Sequence, residues 1–306
     1  MAAGNELSAR AIPYRAAFPP LALVAAVFLC GQCPEAAQDT RAPAYDPEPQ
    51  RLEILQKWEK AGGAKPPELV AGIYERDWQG HDFRNELALT IDDCRPNATM
   101  AAELDSLKAR KVHAVFFIIG SAFLDDAGRP MPRAKELLDR VVNEGHVIGS
   151  HSFWHRRLDE GEFRDNPAAL RRELDRAEAA VDKVLGYHYP ILYFRPPNGA
   201  HSTPRYELDH LLREKGQYLA NWTITSFDWC IRLKAGNPDR LSPEAVVART
   251  VKQAREDSGG VILLHGFPET ARILDEIIVR LSAARNERGG FEFTSLDEMM
   301  RLKYQK

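Results

Sequence analysis

The chain has 306 residues, 44% of them hydrophobic and 28% charged, with 20 Gly and 20 Pro, a composition that excludes collagenous and disordered classes. Forty-one basic and forty-four acidic side chains leave a net charge of −3, so there is no long-range positive field for nucleic acid or an anionic membrane surface. The cysteines, Cys30, Cys33, Cys94 and Cys230, are too few and too scattered for a disulfide scaffold or a zinc ribbon.

Residues 1–37 read as a signal peptide or N-terminal anchor, because Arg10 and Arg15 precede a continuous apolar run over 21–29. That run is about half the ~20 residues needed to cross a bilayer. Membrane contact is therefore expected only through this segment if it stays uncleaved, and the protein is expected to be exported to the periplasm, cell envelope or medium. Residues 38–85 read as a linker and short extension: Pro43, Pro47 and Pro49 keep the chain extended, and Leu52, Leu55 and Trp58 mark one face of a short helix stopped by Gly62, Gly63 and Pro66.

From 86 to 306 short apolar runs alternate with segments of helical period, the pattern of an α/β domain with a parallel sheet. Strands are expected at 87–91, 114–119, 146–149, 191–194, 218–224, 261–264 and 291–293. Between them, Asn166 and Pro167 open a helix that Gly186 closes, Thr203 and Pro204 open another that Gly216 closes, and Ile273, Leu274, Ile277, Ile278 and Leu281 share one face of a third. Polar residues follow several of these strands: Asp92 and Asp93 the first, His151 and His155 the third, Arg195 the fourth, Asp228 the fifth and His265 the sixth. In a closed barrel that rim is where chemistry collects.

Two adjacent carboxylates leave a strand in roughly opposite directions, so Asp92 and Asp93 can take different tasks, one as a metal ligand and one as a proton acceptor. Alone, such a pair is more often a solvated turn or a helix cap. His151 and His155, four apart, can turn both imidazoles to one cation, and two histidines with one carboxylate leave a divalent metal open to a reacting group. Arg195-Pro196-Pro197-Asn198-Gly199 is a rigid turn after a buried strand, and Asp228 beside His265 would keep the imidazole protonated. His265 and Trp229, taken singly, are more often core residues.

Thr90-Ile-Asp92-Asp93-Cys94, His151-Ser-Phe-Trp-His155, Arg195-Pro-Pro-Asn198-Gly199, Asp228-Trp229 and Leu263-Leu-His265 together resemble, in order, the five motifs of the polysaccharide deacetylase family, carbohydrate esterase family four or the NodB-homology domain. The resemblance runs over 86–306 and implies a distorted (β/α)7 barrel that binds zinc or another divalent transition metal. It also implies hydrolytic removal of N-acetyl groups from a GlcNAc-containing polysaccharide, peptidoglycan or chitin-like, with that glycan as partner. Carried over, it makes Asp93, His151 and His155 the metal ligands, Asp92 the general base, held by Arg195, and His265 the general acid, oriented by Asp228. Asn198 would lend its main-chain N–H to the oxyanion, and Trp229 with Leu263 would enclose the acetyl methyl. An O-acetyl esterase shares the tetrahedral intermediate and stays open as an alternative, as does a catalytically silent glycan-binding module with zinc.

The chain departs from the family at Cys94-Arg95, where Gly-Pro is usual, and at Asn198, where tyrosine is frequent. Three roles are open to Cys94: a thiolate beside the metal, a disulfide partner of Cys230, or a small buried hydrophobe in the glycine's place. The acceptor-like triplets at Asn97 and Asn221 read as accidental.

Overall fold

The computed structural model describes Trp78 and residues 81–164, 166–199 and 206–304, all within one compact unit, Ala42–Lys306. The export segment, the short helix near residues 52–58 and the Thr203-Pro204 helix start lie outside the described residues. Among the described residues no helix is long and apolar enough to cross a membrane.

β1 (Glu86–Cys94) leads to α1 (Ala98–Arg110), β2 (Ala114–Ile118) to α2 (Ala134–Asn143), β3 (Val147–Ser150) to α3 (Pro167–Leu185) and β4 (Tyr193–Phe194) to α4 (Tyr206–Lys215). β5 (Tyr218–Leu219) and β6 (Ile224–Thr225) precede α5 (Pro243–Glu256), β7 (Gly260–His265) and α6 (Pro268–Ala283). A hairpin of β8 (Arg285–Asn286) and β9 (Gly289–Gly290), then β10 (Glu292–Thr294) and α7 (Leu296–Tyr304), complete the order. The helix boundaries follow local chemistry. The Asn97 and Asn166 side chains each accept the N–H three residues on, Pro167 occupies the first turn of α3, and Gly186 closes it with a φ of 82°.

The main sheet runs β5-β4-β3-β2-β1-β7-β6, every pairing parallel, and β10 joins β1 at Glu86–Ala88, just before β2 takes over at Leu89. The expected single strand over 218–224 is two. Ala220 donates its N–H to Phe194 O, on the β4 side, while Thr223 donates to Val261 O, on the β7 side. β5 and β6 therefore stand at opposite ends of the sheet with only residues 220–223 between them, a span of at most ~18 Å. The sheet must curl until its edges nearly meet, which gives the distorted barrel its seam.

Side-chain alternation along the strands sorts the interior from the helix-covered outside. Leu87, Leu89 and Ile91 of β1, Phe116 and Ile118 of β2, and Ile262 and Leu264 of β7 join the large core under the helices. Ala88, Val115, Phe117 and Val261 face the barrel interior, where Trp78, Phe83, Leu296, Met299 and Met300 pack against them. Further along the same inward rows stand Thr90 and Asp92 on β1 and Leu263 and His265 on β7, so the lower barrel is apolar and its C-terminal end polar.

Cys94 and Cys230 are both free thiols, and Cys94 lies in the core under the helices, its Sγ donating to Ile91 O at 3.1 Å. Burial pushes its thiol well above the usual range, so it is neither a disulfide partner nor a thiolate ligand here but a small buried side chain. Beside it, on the buried stripe Met100, Glu103, Leu104 and Leu107 of α1, Glu103 has no hydrogen-bond partner for either carboxyl oxygen among the described residues. Burial, reinforced by the charge of Asp228, pushes the Glu103 carboxyl well above its ordinary 4.5 and keeps it neutral.

The folded protein thus holds a proton on Glu103 that the unfolded chain releases above its ordinary pKa, so this residue costs stability increasingly as pH rises. Glu103→Gln should abolish that cost. Urea unfolding at about pH 5 and pH 8 should show the variant gaining on wild type by at most ~1.4 kcal/mol per pH unit, whereas an equal difference at both pH values would show that Glu103 is charged when folded.

Candidate active site

β1 carries the first two residues to the rim. Asp92 is in register with His265 of β7, but the ladder to β2 shifts between Ile91 and Cys94, and Asp93 takes a φ of 59°. In a regular strand consecutive carboxylates point to opposite faces. This bulge brings both toward one imidazole instead: His151 Nε2 lies 3.7 Å from Asp92 Oδ2 and 3.5 Å from Asp93 Oδ1.

His151 and His155 stand on the loop after β3, and its backbone is pinned from three directions. Gly120 and Ser121 donate their N–H groups to the carbonyls of Ser152 and Phe153, and His155 N–H bonds to Ser152 Oγ at 3.0 Å. From α3, one carboxylate oxygen of the buried Glu173 accepts the successive N–H groups of Phe153 and Trp154 at 3.1 and 2.6 Å. Gly120 is needed for this packing, since a Cβ there would sit 2.9 Å from the Phe153 ring.

Arg195, following β4, is wholly buried and spans the barrel. Its Nη1 donates to Asp92 Oδ1 at 2.7 Å and Thr90 Oγ1 at 2.8 Å, Nε to Ala220 O at 2.6 Å and Nη2 to Asn221 O at 3.3 Å. The guanidinium lies 4.2 Å from the centre of the Phe117 ring. Gly149 makes room for that ring, which a Cβ would meet at 2.6 Å. Burial lowers the Arg195 pKa, opposed by the charge and hydrogen bond of Asp92.

Across the mouth, the buried Asp228 opens the turn after β6. Its Oδ1 lies 2.8 Å from His265 Nδ1 and accepts Ser226 Oγ–H and Trp229 N–H, while Oδ2 accepts His265 N–H and Thr270 Oγ–H, each at 2.7 Å. Burial pushes the His265 imidazole down, but the bond and charge of Asp228, helped by Asp92 and Asp93, outweigh it and raise the pKa. The ring stacks on Phe267 at 5.2 Å, and half-buried Trp229 meets its edge. Leu263, two residues before His265 on β7, shares its inward row, and Asn198 sits exposed in the turn after Arg195 with a left-handed φ of 57°.

Asp93, His151 and His155 bring one ligand atom each within 4.8 Å of one another. Asp93 Oδ1 is buried without a hydrogen bond of ordinary geometry, although His155 Nε2 lies 2.8 Å away. Burial pushes the Asp93 carboxyl up, yet His155, His151 and His265 together bring it down to about 2, so it is ionised. His151 Nδ1 is 2.7 Å from Arg195 O, which accepts; the proton is therefore on Nδ1 and Nε2 offers its lone pair. Burial also lowers the His151 pKa and favours that neutral ring. An orphaned carboxylate oxygen and two imidazole nitrogens facing one point fit a divalent cation with open positions.

The residues expected at the rim thus meet there, apart from Cys94, which faces the core. Sequence reasoning assigned no part to Glu173, Thr90, Ser226 or Thr270. A signal existed for Glu173: it interrupts the apolar stripe Leu170, Leu174, Ala177 and Val181 of α3, where an unpaired acid is costly.

Comparison with known proteins places this geometry among relatives. The family model described as polysaccharide deacetylase matches residues 80–211. Peptidoglycan-N-acetylmuramic acid deacetylase PdaA of Bacillus subtilis is 28% identical over 231 residues, 74% of this chain and 76% of the relative. Peptidoglycan-N-acetylglucosamine deacetylase PgdA of Listeria monocytogenes is 29% identical over 220 residues, 72% of this chain, which spans only 40% of that relative's length. The solved peptidoglycan deacetylase PdaC of Bacillus subtilis superposes with a TM-score of 0.55 at 27% identity, covering 72% of this chain and 92% of that one.

Glu173 holds the metal-ligand loop by its main chain, so Glu173→Ala should weaken divalent-metal binding roughly 10- to 100-fold, whereas Glu173→Gln, which keeps one acceptor oxygen, should recover most of it. Chelator competition on the metal-free protein measures this; equal affinity in Glu173→Ala and wild type would show that the loop holds itself.

Proposed function

The chain belongs to the polysaccharide deacetylase family, and from that premise we propose that it hydrolyses N-acetyl groups of a GlcNAc-containing glycan, with peptidoglycan as the first substrate and zinc as the metal. The observation that carries this reading is the pair of oppositely equipped proton-transfer groups beside the Asp93, His151 and His155 ligand set. Asp92 is fixed by Arg195 on one strand and His265 by Asp228 on its register neighbour. A binding module needs neither group. Cys94, which made a silent site conceivable, points into the core.

Asp93, His151 and His155 would hold zinc, which when bound would supply Lewis acidity for the hydrolysis. Asp92 Oδ2 takes a proton from the attacking water, and Arg195, bonded to Oδ1, keeps that carboxylate aimed and ionised. The N–H of Asn198 serves the oxyanion, a contribution of roughly 3 kcal/mol for a well-placed donor. When the C–N bond breaks, the amine leaves with the proton from His265 Nε2, since Nδ1 is engaged by Asp228. Trp229 and Leu263 wall the space for the acetyl methyl. A peptidoglycan substrate requires export, which we assign to the segment 1–37.

Acetate release from chitooligosaccharides, peptidoglycan and acetylated xylan by the zinc-loaded protein tests the reading. Asp92→Asn and His265→Ala should each lower kcat by 100-fold or more with zinc still bound. Release from acetylated xylan alone would replace the amide by an ester substrate, and none from any of the three would remove the enzymatic reading. His265 must be protonated to act, and its raised pKa extends that form to higher pH, so activity is lost as pH rises through this value. In Asp228→Asn the alkaline limb of kcat/KM should move to lower pH; an unmoved limb would assign it to another group.

A further inference from the structure

The loop His151–Ser–Phe–Trp–His155 holds one residue that neither metal binding nor proton transfer uses. Trp154, between the half-buried Phe153 and His155, is 47% exposed, one of few large apolar side chains so open among the described residues. It belongs to none of the three apolar clusters, so the fold does not need an indole there. The ring is nevertheless held in place. Its main-chain N–H is bonded to Glu173 at 2.6 Å, and the Phe153 ring meets it edge to face at 4.8 Å with an 84° angle. The Arg156 guanidinium stands 5.8 Å from its centre, itself paired with Glu162. Left-handed φ values of 67° at Ser152 and 57° at His155 turn the chain sharply on either side of Trp154, and the outcome is that both imidazoles reach Asp93 while the indole meets solvent.

A solvent-facing indole of fixed orientation, with the Arg156 guanidinium over one face and the residue 47% exposed, suits a flat, partly apolar ring bearing polar substituents. The C–H face of a pyranose has that character: its hydrogens carry slight positive charge and meet the electron-rich ring face, and its hydroxyls stay in water at the rim. A single aromatic ring bordered by the Arg156–Glu162 ion pair is too small for a stable protein interface, which buries ~800 Å² per partner. Trp154 Cα is one peptide, ~3.8 Å, from that of the metal ligand His155. A glycan presenting an acetyl group to the ligands therefore has a neighbouring sugar within reach of the indole.

We propose that Trp154 is a stacking platform for a pyranose unit next to the one being deacetylated, so that this loop binds the glycan chain as well as the metal. The inference rests on the glycan reading above. Ordering costs at the platform are met in advance, because Glu173 and Phe153 hold Trp154 before substrate arrives.

The test uses the full zinc-loaded chain with N-acetylchitohexaose and with soluble peptidoglycan strands, comparing wild type, Trp154→Ala and Trp154→Phe. In Trp154→Ala the KM for the better substrate should rise roughly tenfold, with kcat lowered less than threefold, and Trp154→Phe should recover part of the loss. Melting temperature and zinc content should match wild type, because the side chain supports neither core nor ligands. The glycan-induced change in tryptophan fluorescence should shrink in Trp154→Phe, the remainder belonging to Trp229. Wild-type KM in Trp154→Ala, or an undiminished fluorescence change in Trp154→Phe, overturns the platform and leaves the deacetylase reading intact. If wild type releases no acetate, calorimetric titration with the same glycans, which needs no indole as reporter, still decides: binding lost in Trp154→Ala supports a platform on a glycan-binding site, and no binding by wild type overturns it.

Discussion

The guanidinium of Arg195 is the contact on which the rest of the molecule converges. It reaches Thr90 and Asp92 of β1, the carbonyls of Ala220 and Asn221 at the barrel seam, and the Phe117 ring of β2, while its own carbonyl accepts from His151 Nδ1. A charge with no exposure persists only where its donors are satisfied, and removing one partner of such a pair typically costs 3–5 kcal/mol. The same residue therefore closes the seam between β5 and β6, aims Asp92 and sets the tautomer of His151. Stability and site geometry share one set of hydrogen bonds, so neither can drift without the other.

Around this centre the site is assembled from residues in an uncommon backbone state. Asp93, Ser152, His155, Asn198 and Phe227 all have φ between 57° and 67°, a region unfavourable to side-chain-bearing residues. Asp93 and His155 belong to the candidate ligand set, Ser152 follows His151, Asn198 lies in the turn after Arg195, and Phe227 precedes Asp228. The surrounding bonds hold them there: the bulge in β1, Glu173 under the histidine loop, and Ser226 beneath Asp228. The two carboxylates of Asp92 and Asp93 differ in office because one keeps the strand's direction and its neighbour does not.

The barrel divides its interior by polarity. Phe117 belongs to the apolar floor and also carries Arg195 on its face, so the boundary between core and site is one ring thick. The Asp93, His151 and His155 set and the side chains of Asp92 and His265 consequently lie at the end of an apolar interior, where charges act on one another with little screening. On the opposite side of β1, Cys94, next to Asp93 in sequence, faces the core beside the neutral Glu103 of α1, away from the rim.

The sequence by itself determined the alternation of strands and helices, most strand positions, the caps at Asn166 and Gly186, and the set of rim residues from Asp92 to His265. Each of these is written in local periodicity or in the order of short motifs, because burial along a strand or helix repeats at a fixed interval whatever it packs against. Only the tertiary structure decided that the run over 218–224 is the two edges of a curled sheet, since a strand's neighbours are set by residues far away in the chain. It alone chose the small buried side chain among the roles open to Cys94 and turned Asp93 toward His151 and His155, because a bulge depends on the partner strand's register and reverses side-chain direction in one residue. Glu173 and Thr270 were likewise beyond local pattern: their parts come from bonds to loops 19 and 42 residues distant, which exist only once the barrel has closed.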